Sequence, residues 1–299
     1  MKELDFINII KKTIPNSLIG DDCAYLKDFG IVVTQDNFIE DVHFKREWSS
    51  PYQIGYKATV VNISDILASG AKPEYITVGL SLPSYIQSDF IEEFYKGVKA
   101  GLNGAKLAGG DITGADKIFV SITAIGSAKN RNLSSRGNAK AGYKVIVSGN
   151  FGTSAAGYNN LSTNRDIDNE FIKAHLEPEL DIEFSEQISA NCKQDYAMMD
   201  SSDGLADALY EIAQDSNVTI KINSKKIPHD GKINDLNTIL FGAEDYNLVA
   251  AVPSEFLKYI KNYTVIGEVC EKIPDAKFIV DNKEYKNYYE LNIYDHFGE

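Results

Sequence analysis

The sequence predicts an α/β protein with mixed sheets, built as two domains. Three observations carry that prediction. The chain has 299 residues, beyond most single compact domains; strand-like and helix-like segments alternate through both halves; and a polar, glycine-containing stretch, "NRNLSSRGNAKAGYK" (130–144), separates those halves. The boundary is expected within it, giving domains of residues 1–137 and 138–299. With 43% hydrophobic residues the chain can bury a sizeable core, and 24% charged residues is ordinary for a folded protein.

The elements follow in order. Residues 4–12 read as a short helix and "GIVVTQDNF" (30–38) as a strand. "SSPYQIGYKATVVNISDILASGA" reads as a helix with Ser49 or Ser50 as cap, Pro51 in its first turn and Gly70 as its stop. Residues 75–83 form a strand, 88–101 a helix and 117–128 a strand, while the glycines of "AGGDIT" suggest a turn. "KVIVSG" is a strand leading into "NFGTSAAGY". There the helix N-terminus either faces an anion or simply follows a tight turn needing Gly149 and Gly152. Helices near 168–175 and 181–192, the strand "YAMMD", a helix from Gly204 to Asp215, and the strands "VTIKI", "NLVAAVP", "TVIGEV" and "KFIVDNKEY" complete the chain.

Charge and composition exclude several partners. A net charge of -13 argues against a nucleic-acid backbone and an anionic membrane surface. No apolar run approaches the ~20 residues of a membrane span, and "MKELDFINIIKKTIP" lacks the apolar core of a signal peptide. Cys23, Cys192 and Cys270 are widely separated with no CxxC pair, so neither zinc nor a disulfide framework is expected, and a reduced cytoplasm is the natural home. There is no P-loop and no protein-kinase signature set.

Short acidic signatures recur instead: "IGDDCA" (Asp21, Asp22), "TQDNF" (Asp36), "NISD" (Asp65), "AGGDIT" (Asp111) and "MMDSSDG" (Asp200, Asp203). Several end or follow an apolar segment, where solubility does not require a carboxylate. Oxygen ligands of this kind suit Mg²⁺, Mn²⁺ or Ca²⁺. Each also has a plainer reading. Asp200 and Asp203 have capping-box spacing ahead of a helix. Asp22 and Asp111 fit turns. Asp65 lies on a helix apolar on nearly every face, with Asn62 on the same side. A carboxylate there needs a cation or hydrogen bonds, and Lys57 is as good a partner as a metal.

The ordered set "IGDDCA", "YKATVVNISDILASGAKP", "AGGDIT", "VSGNFGTSAAGY", "DSSDGL", "GAEDYNL" and "YDHF" resembles the thiamine-monophosphate kinase family. That family shares its ATP-binding superfamily with aminoimidazole ribonucleotide synthetase and selenophosphate synthetase. The resemblance runs from Gly20 to Phe297. It implies a two-domain fold like that of aminoimidazole ribonucleotide synthetase, its N-terminal sheet pairing across a homodimer, with the site in the cleft between domains. The implied reaction moves the γ-phosphoryl of ATP onto thiamine monophosphate, with no nucleic-acid or membrane partner.

By position, the resemblance implies that Asp22, Thr34, Gln35, Asp36, Asp65, Asp111, Asp200 and Asp203 hold several Mg²⁺ ions. Gly110, Asp111, Arg136 and Ser202 would contact ATP, and His43, Glu244 and Tyr294 the thiamine phosphate. Asp65, Asp111, Asp203 and Arg136 would form the catalytic set. Three departures stand out. Gln35 replaces a hydroxyl residue, which matters only if that position works through its side chain. "HLEPELD" (175–181) lacks the family's arginines, and Ile112 follows "AGGD".

Rivals have their own signals. Selenophosphate synthetase needs a reactive cysteine or selenocysteine near a glycine-rich N-terminus with a following lysine, and Cys23 behind "GDD" does not resemble one. The hydrogenase-maturation relative uses a C-terminal cysteine, absent from "DHFGE". From another class, the aspartates would be structural Ca²⁺ or Mg²⁺ sites in a non-catalytic binding protein, recognisable by metal binding without phosphoryl transfer.

Overall fold

Residues Val120, Ile122 and Ala124 are buried in alternation along β5 (Phe119–Ser127), the period of a strand with one face on a core. In the computed structural model, which describes residues 3–15, 17–163, 169–291 and 297, β5 is the centre of a five-stranded sheet. It is flanked antiparallel by β2 (Ile31–Ile39) and β3 (Lys72–Leu82), with β1 (Ala24–Leu26) and β4 (Lys106–Gly114) at the edges. β4 runs parallel to β3. A helix α1 (Glu3–Thr13) precedes the sheet.

The second half forms a seven-stranded sheet in the order β12-β11-β8-β10-β6-β9-β7. Its strands are β6 (Lys144–Val147), β7 (Ala197–Asp200), β8 (Thr219–Ile222), β9 (Leu248–Val252), β10 (Thr264–Cys270), β11 (Phe278–Val280) and β12 (Lys283–Tyr285). Interspersed are α4 (Thr153–Thr163), α5 (Asn169–Leu176), α6 (Ile182–Asn191), α7 (Leu205–Asp215) and α8 (Leu236–Phe241). The continuous apolar runs of β6, β7 and β9 are explained by burial on both faces. Val147, Met199 and Val249 face a core with α7, whereas Ile146, Met198 and Ala250 join the core of the first sheet.

That shared core contains α2 (Pro51–Ala68). Ser50 caps it reciprocally with Gln53, Pro51 opens it, and Gly70 beyond its end has φ +77°. It is apolar all round because it touches β2 and β5, α3 (Ser88–Gly101), and β7, α5 and α6 of the second half. Glycines allow the α2–α3 approach: a Cβ at Gly97 would lie 1.9 Å from the Tyr52 carbonyl oxygen.

Several elements differ from expectation. "AGGDIT" lies within β4, which has no alternating burial and draws its ladder from β3. "KFIVDNKEY" divides at Asp281 (φ 55°) into the hairpin β11–β12, and β1 and α8 carry too few periodic residues to be read in advance. Among the described residues, no helix is long and apolar enough to cross a membrane.

Candidate active site

Three carboxylates converge from distant parts of the sequence. Asp22 precedes β1, Asp65 lies on the last turn but one of α2, and Asp200 ends β7. One carboxylate oxygen from each lies within 4.8 Å of the others. Thr34 on β2 donates to Asp65 Oδ2 at 2.6 Å, and Ser64 donates to Asp200 Oδ2. Asn62 Oδ1 accepts the Asp36 N–H at 3.0 Å, which ties α2 to β2 beside the cluster.

The electrostatics are those of crowded anions away from water. Burial, then the like charges of Asp36, Asp200 and Asp22, pushes Asp65 well above the usual carboxylate range despite the Thr34 bond. Burial and Asp22 push Asp200 up to about 7 and Asp36 up to about 6. Burial raises Asp22 as well, against the opposing Arg136 charge. Arg136 Nη2 donates to Asp22 Oδ1 at 2.7 Å. Burial would lower the Arg136 pKa, but Asp22, Glu211 and Asp207 together raise it. Asp21 fastens the same loop by accepting from the Arg136 N–H at 2.7 Å and from the Ser135 hydroxyl at 3.0 Å.

The alternatives left open by the sequence separate here. Lys57 does not reach for Asp65; its Nζ lies 3.1 Å from Glu244 Oε1. Asp65 is therefore held by Thr34 and surrounded by carboxylates. α7 begins at Leu205 with Gly204, which has no side chain, as its N-cap residue, and Asp200 Oδ1 accepts from the Ser202 N–H. The charge of Asp203, after burial, raises the pKa of Asp207. The N-terminus of α4 is already occupied: the Asp245 carboxylate accepts from the Gly152 and Ser154 amides and the Thr153 hydroxyl. Arg136 is largely buried, which removes the solvent-exposed reading.

Gln35 faces away from the cluster and accepts from the Thr123 hydroxyl at 3.1 Å. β2 alternates, so Thr34 and Asp36 share the α2 side and position 35 does not. Glu177 of "HLEPELD" accepts from Gln53 on α2 at 2.9 Å. Ser202 connects two motifs: its N–H donates to Asp200 Oδ1 at 3.4 Å and its carbonyl accepts the Glu244 N–H at 2.7 Å. His43 Nδ1 accepts the Ile39 N–H at 3.1 Å, and the ring is close enough to Glu244 to help lower its pKa.

Gly110 and Asp111 are not brought to the cluster. Gly110 is level with Asp36 through Val78 and Ile122, three strands away, or about 14 Å at the usual spacing. Asp111 pairs with Gly79, on the alternate positions to Val78, and is exposed. Within one copy of the chain, sheet order keeps both apart from the other aspartates. Tyr294 lies outside the described residues. A separate groove of about 590 Å³, lined by Lys144, Lys221 and Lys226, sits over β8 and β10, strands remote from Asp200 in the sheet.

Sequence reasoning named Asp21 among the acidic signatures without its hold on the Arg136 loop, and missed Ser64 and the Lys57–Glu244–His175 contact. Ser64 adjoins Asp65 in "NISD", which was a usable signal; the other contacts join segments more than 60 residues apart and left none.

Two packed α/β halves with an acidic cluster drawn from both define the class. Residues 20–128 match the family described as AIR synthase related protein, N-terminal domain, and residues 140–274 match its C-terminal domain. Within that class, the chain belongs to the thiamine-monophosphate kinase family. It is 36% identical to the thiamine-monophosphate kinase of Bacillus subtilis (strain 168), covering 99% of this chain and 100% of that one. It is 34% identical to that of Aquifex aeolicus (strain VF5), covering 90% and 92%. The solved structure of AaThiL complexed with AMPPCP and TMP matches with a TM-score of 0.89 at 32% identity, over 99% of this chain and 97% of that one.

Proposed function

We infer that the chain transfers the γ-phosphoryl group of ATP to thiamine monophosphate, giving thiamine diphosphate and ADP. The observation that carries this reading is the convergence of Asp22, Asp65 and Asp200 in a chain of this family. The relative AaThiL binds an ATP analogue and TMP at the same fold. Oxygen-only donors crowded away from water fit a hard divalent cation such as Mg²⁺. Asp22, Asp36, Asp65 and Asp200 would hold it, with Asp203 contributing from the turn beside Asp200. Bound Mg²⁺ supplies the positive charge that lets two phosphate anions approach.

The chain's own groups do the rest by position. Thr34 and Ser64 aim the Asp65 and Asp200 carboxylates, and Asn62 fixes the β2 backbone at Asp36. Arg136, which donates to Asp22, would offer a forked donor to phosphate. Ser202 is proposed to contact the nucleotide, and Glu244, His43 and Tyr294 the acceptor. The acceptor phosphate is already ionised, so no side chain need abstract a proton; alignment and electrostatics carry the transfer.

The division into residues 1–137 and 138–299 is retained as part of this reading, as is a cytoplasmic homodimer. Among the described residues the first sheet packs on α2, and Tyr75 on β3 and Leu107 and Ile112 on β4 are exposed. A mass in solution of twice the 33.1 kDa chain is expected. Gly110 and Asp111 keep proposed nucleotide and metal roles only if the triphosphate reaches along the sheet or a second copy brings its β4 beside the cluster.

The direct test incubates the protein with MgATP and thiamine monophosphate and assays thiamine diphosphate as its thiochrome derivative. Product that EDTA abolishes supports the reading. A folded protein that binds MgATP and forms no product refutes it.

A further inference from the structure

Glu244 is the one member of a buried trio that a ligand can meet. Its side chain is 26% exposed, whereas those of Lys57 and His175 behind it are 4% and 6% exposed. Its oxygens are held separately: Oε1 lies 3.1 Å from Lys57 Nζ, and Oε2 lies 3.4 Å from His175 Nδ1. Ser154 Oγ, in the first turn of α4, is 3.0 Å from the same Nδ1. The Ser154 hydroxyl is the nearer neighbour of that nitrogen and donates to it or accepts from it according to the ring tautomer.

The backbone is held as firmly. Glu244 adopts φ 66°, its N–H is taken by Ser202, and the neighbouring Asp245 is pinned to the start of α4 by three hydrogen bonds. A non-glycine residue in the left-handed region persists only where its surroundings over-determine it. α2 also carries both ends of the site. Lys57 and Asp65 are eight residues apart, about 12 Å along the helix axis.

We propose that Lys57 and His175 are positioning residues that hold the Glu244 carboxylate oriented toward the acceptor, so that they act on acceptor binding and not on the nucleotide. This rests on the proposed contact between Glu244 and the acceptor, a phosphate-bearing molecule with a cationic or amino-bearing ring. Lys57 balances the charge of Glu244 from the buried side, and His175 directs its second oxygen. The carboxylate is thereby presented to a donor without first having to be ordered.

A double-mutant cycle tests the coupling. Affinities of K57M, E244Q and K57M/E244Q for thiamine monophosphate and for MgATP are measured by calorimetry. Each single change is expected to weaken the acceptor about tenfold to a hundredfold, and the double variant no more than the worse single. MgATP affinity should stay within about threefold throughout. Losses that multiply in the double variant, or an equal loss of MgATP, overturn the proposal. Should K57M fail to fold, K57R and K57M/E244Q replace it, since neither strands a lone buried charge. Acceptor binding by K57R stronger than by K57M/E244Q supports the proposal; equal weakness overturns it. H175N should weaken the acceptor alone, and a parallel loss of MgATP counts against a positioning role. A wild-type protein that binds thiamine monophosphate without making product refutes the kinase reading and leaves the cycle to decide this one. A wild-type protein that does not bind it overturns both.

Discussion

Replacing Asp200 by asparagine should make the metal-free protein more stable. Burial and Asp22 push Asp200 up to about 7, against 3.8 for an ordinary aspartate. The gap is about 3 pKa units at about 1.4 kcal/mol each, so keeping this carboxylate ionised at pH 8 costs about 4 kcal/mol of folding free energy. Asparagine would keep one acceptor oxygen, for the Ser202 N–H, and put its NH₂ beside Ser64, whose hydroxyl then accepts instead of donating. Losing the charge-assisted part of these bonds costs about 1 kcal/mol. The net gain is about 3 kcal/mol, or roughly 6–12 °C in Tm for a chain of this size. The sign with pH follows from the raised pKa: the native state binds the proton more tightly, so wild-type stability from this group is lost as pH rises through about 7. The D200N advantage should therefore be greatest at pH 8 and vanish toward pH 4. Thermal unfolding in EDTA from pH 5 to 8 measures it, with a Mg²⁺ titration beside it. Mg²⁺ should stabilise the wild type more than D200N. A variant that is less stable than wild type in EDTA at pH 8, or a difference that ignores pH, would refute the picture of opposed carboxylates waiting for a cation.

Other substitutions separate the roles. Asp65→Asn and Asp203→Asn should each fold and lose at least about a hundredfold in kcat/KM for phosphoryl transfer; near-normal turnover of either removes that residue from the site. Gln35→Ser should leave turnover and Mg²⁺ dependence within about twofold, because position 35 faces away from the cluster; restoring a hydroxyl and gaining activity would show that the side chain is used. Asp245→Ala should cost about 2 kcal/mol by uncapping α4, seen as a lower urea midpoint, and an unchanged midpoint would mean the cap is replaced. Arg136→Lys should raise the KM for ATP while sparing acceptor affinity, since a point charge cannot keep the fork; steady-state kinetics with each substrate varied in turn decides it.

The aspartates were legible as a group because a carboxylate next to an apolar run is locally anomalous, and the motif order resembled one family. Asp65 shows where legibility ends. Its helix was readable from Ser50, Pro51 and Gly70, and its burial from the apolar residues on every face. Whether its partner was Lys57 or a metal could not be read, since the Lys57 contact is with Glu244, 187 positions on. Local propensity also misread Asp111, whose strand exists only because β3 supplies its hydrogen bonds.

By itself, then, the sequence determined the alternation of elements, the fully buried α2 and the acidic character of the site, all consequences of short-range periodicity and side-chain chemistry. Only the tertiary structure decided which aspartates meet, that Gln35 turns away, that Asp245 and not a ligand fills the end of α4, and that Glu244 stands on Lys57 and His175. Those outcomes depend on sheet order and on packing between segments far apart in the chain, and no local pattern encodes a distance between them.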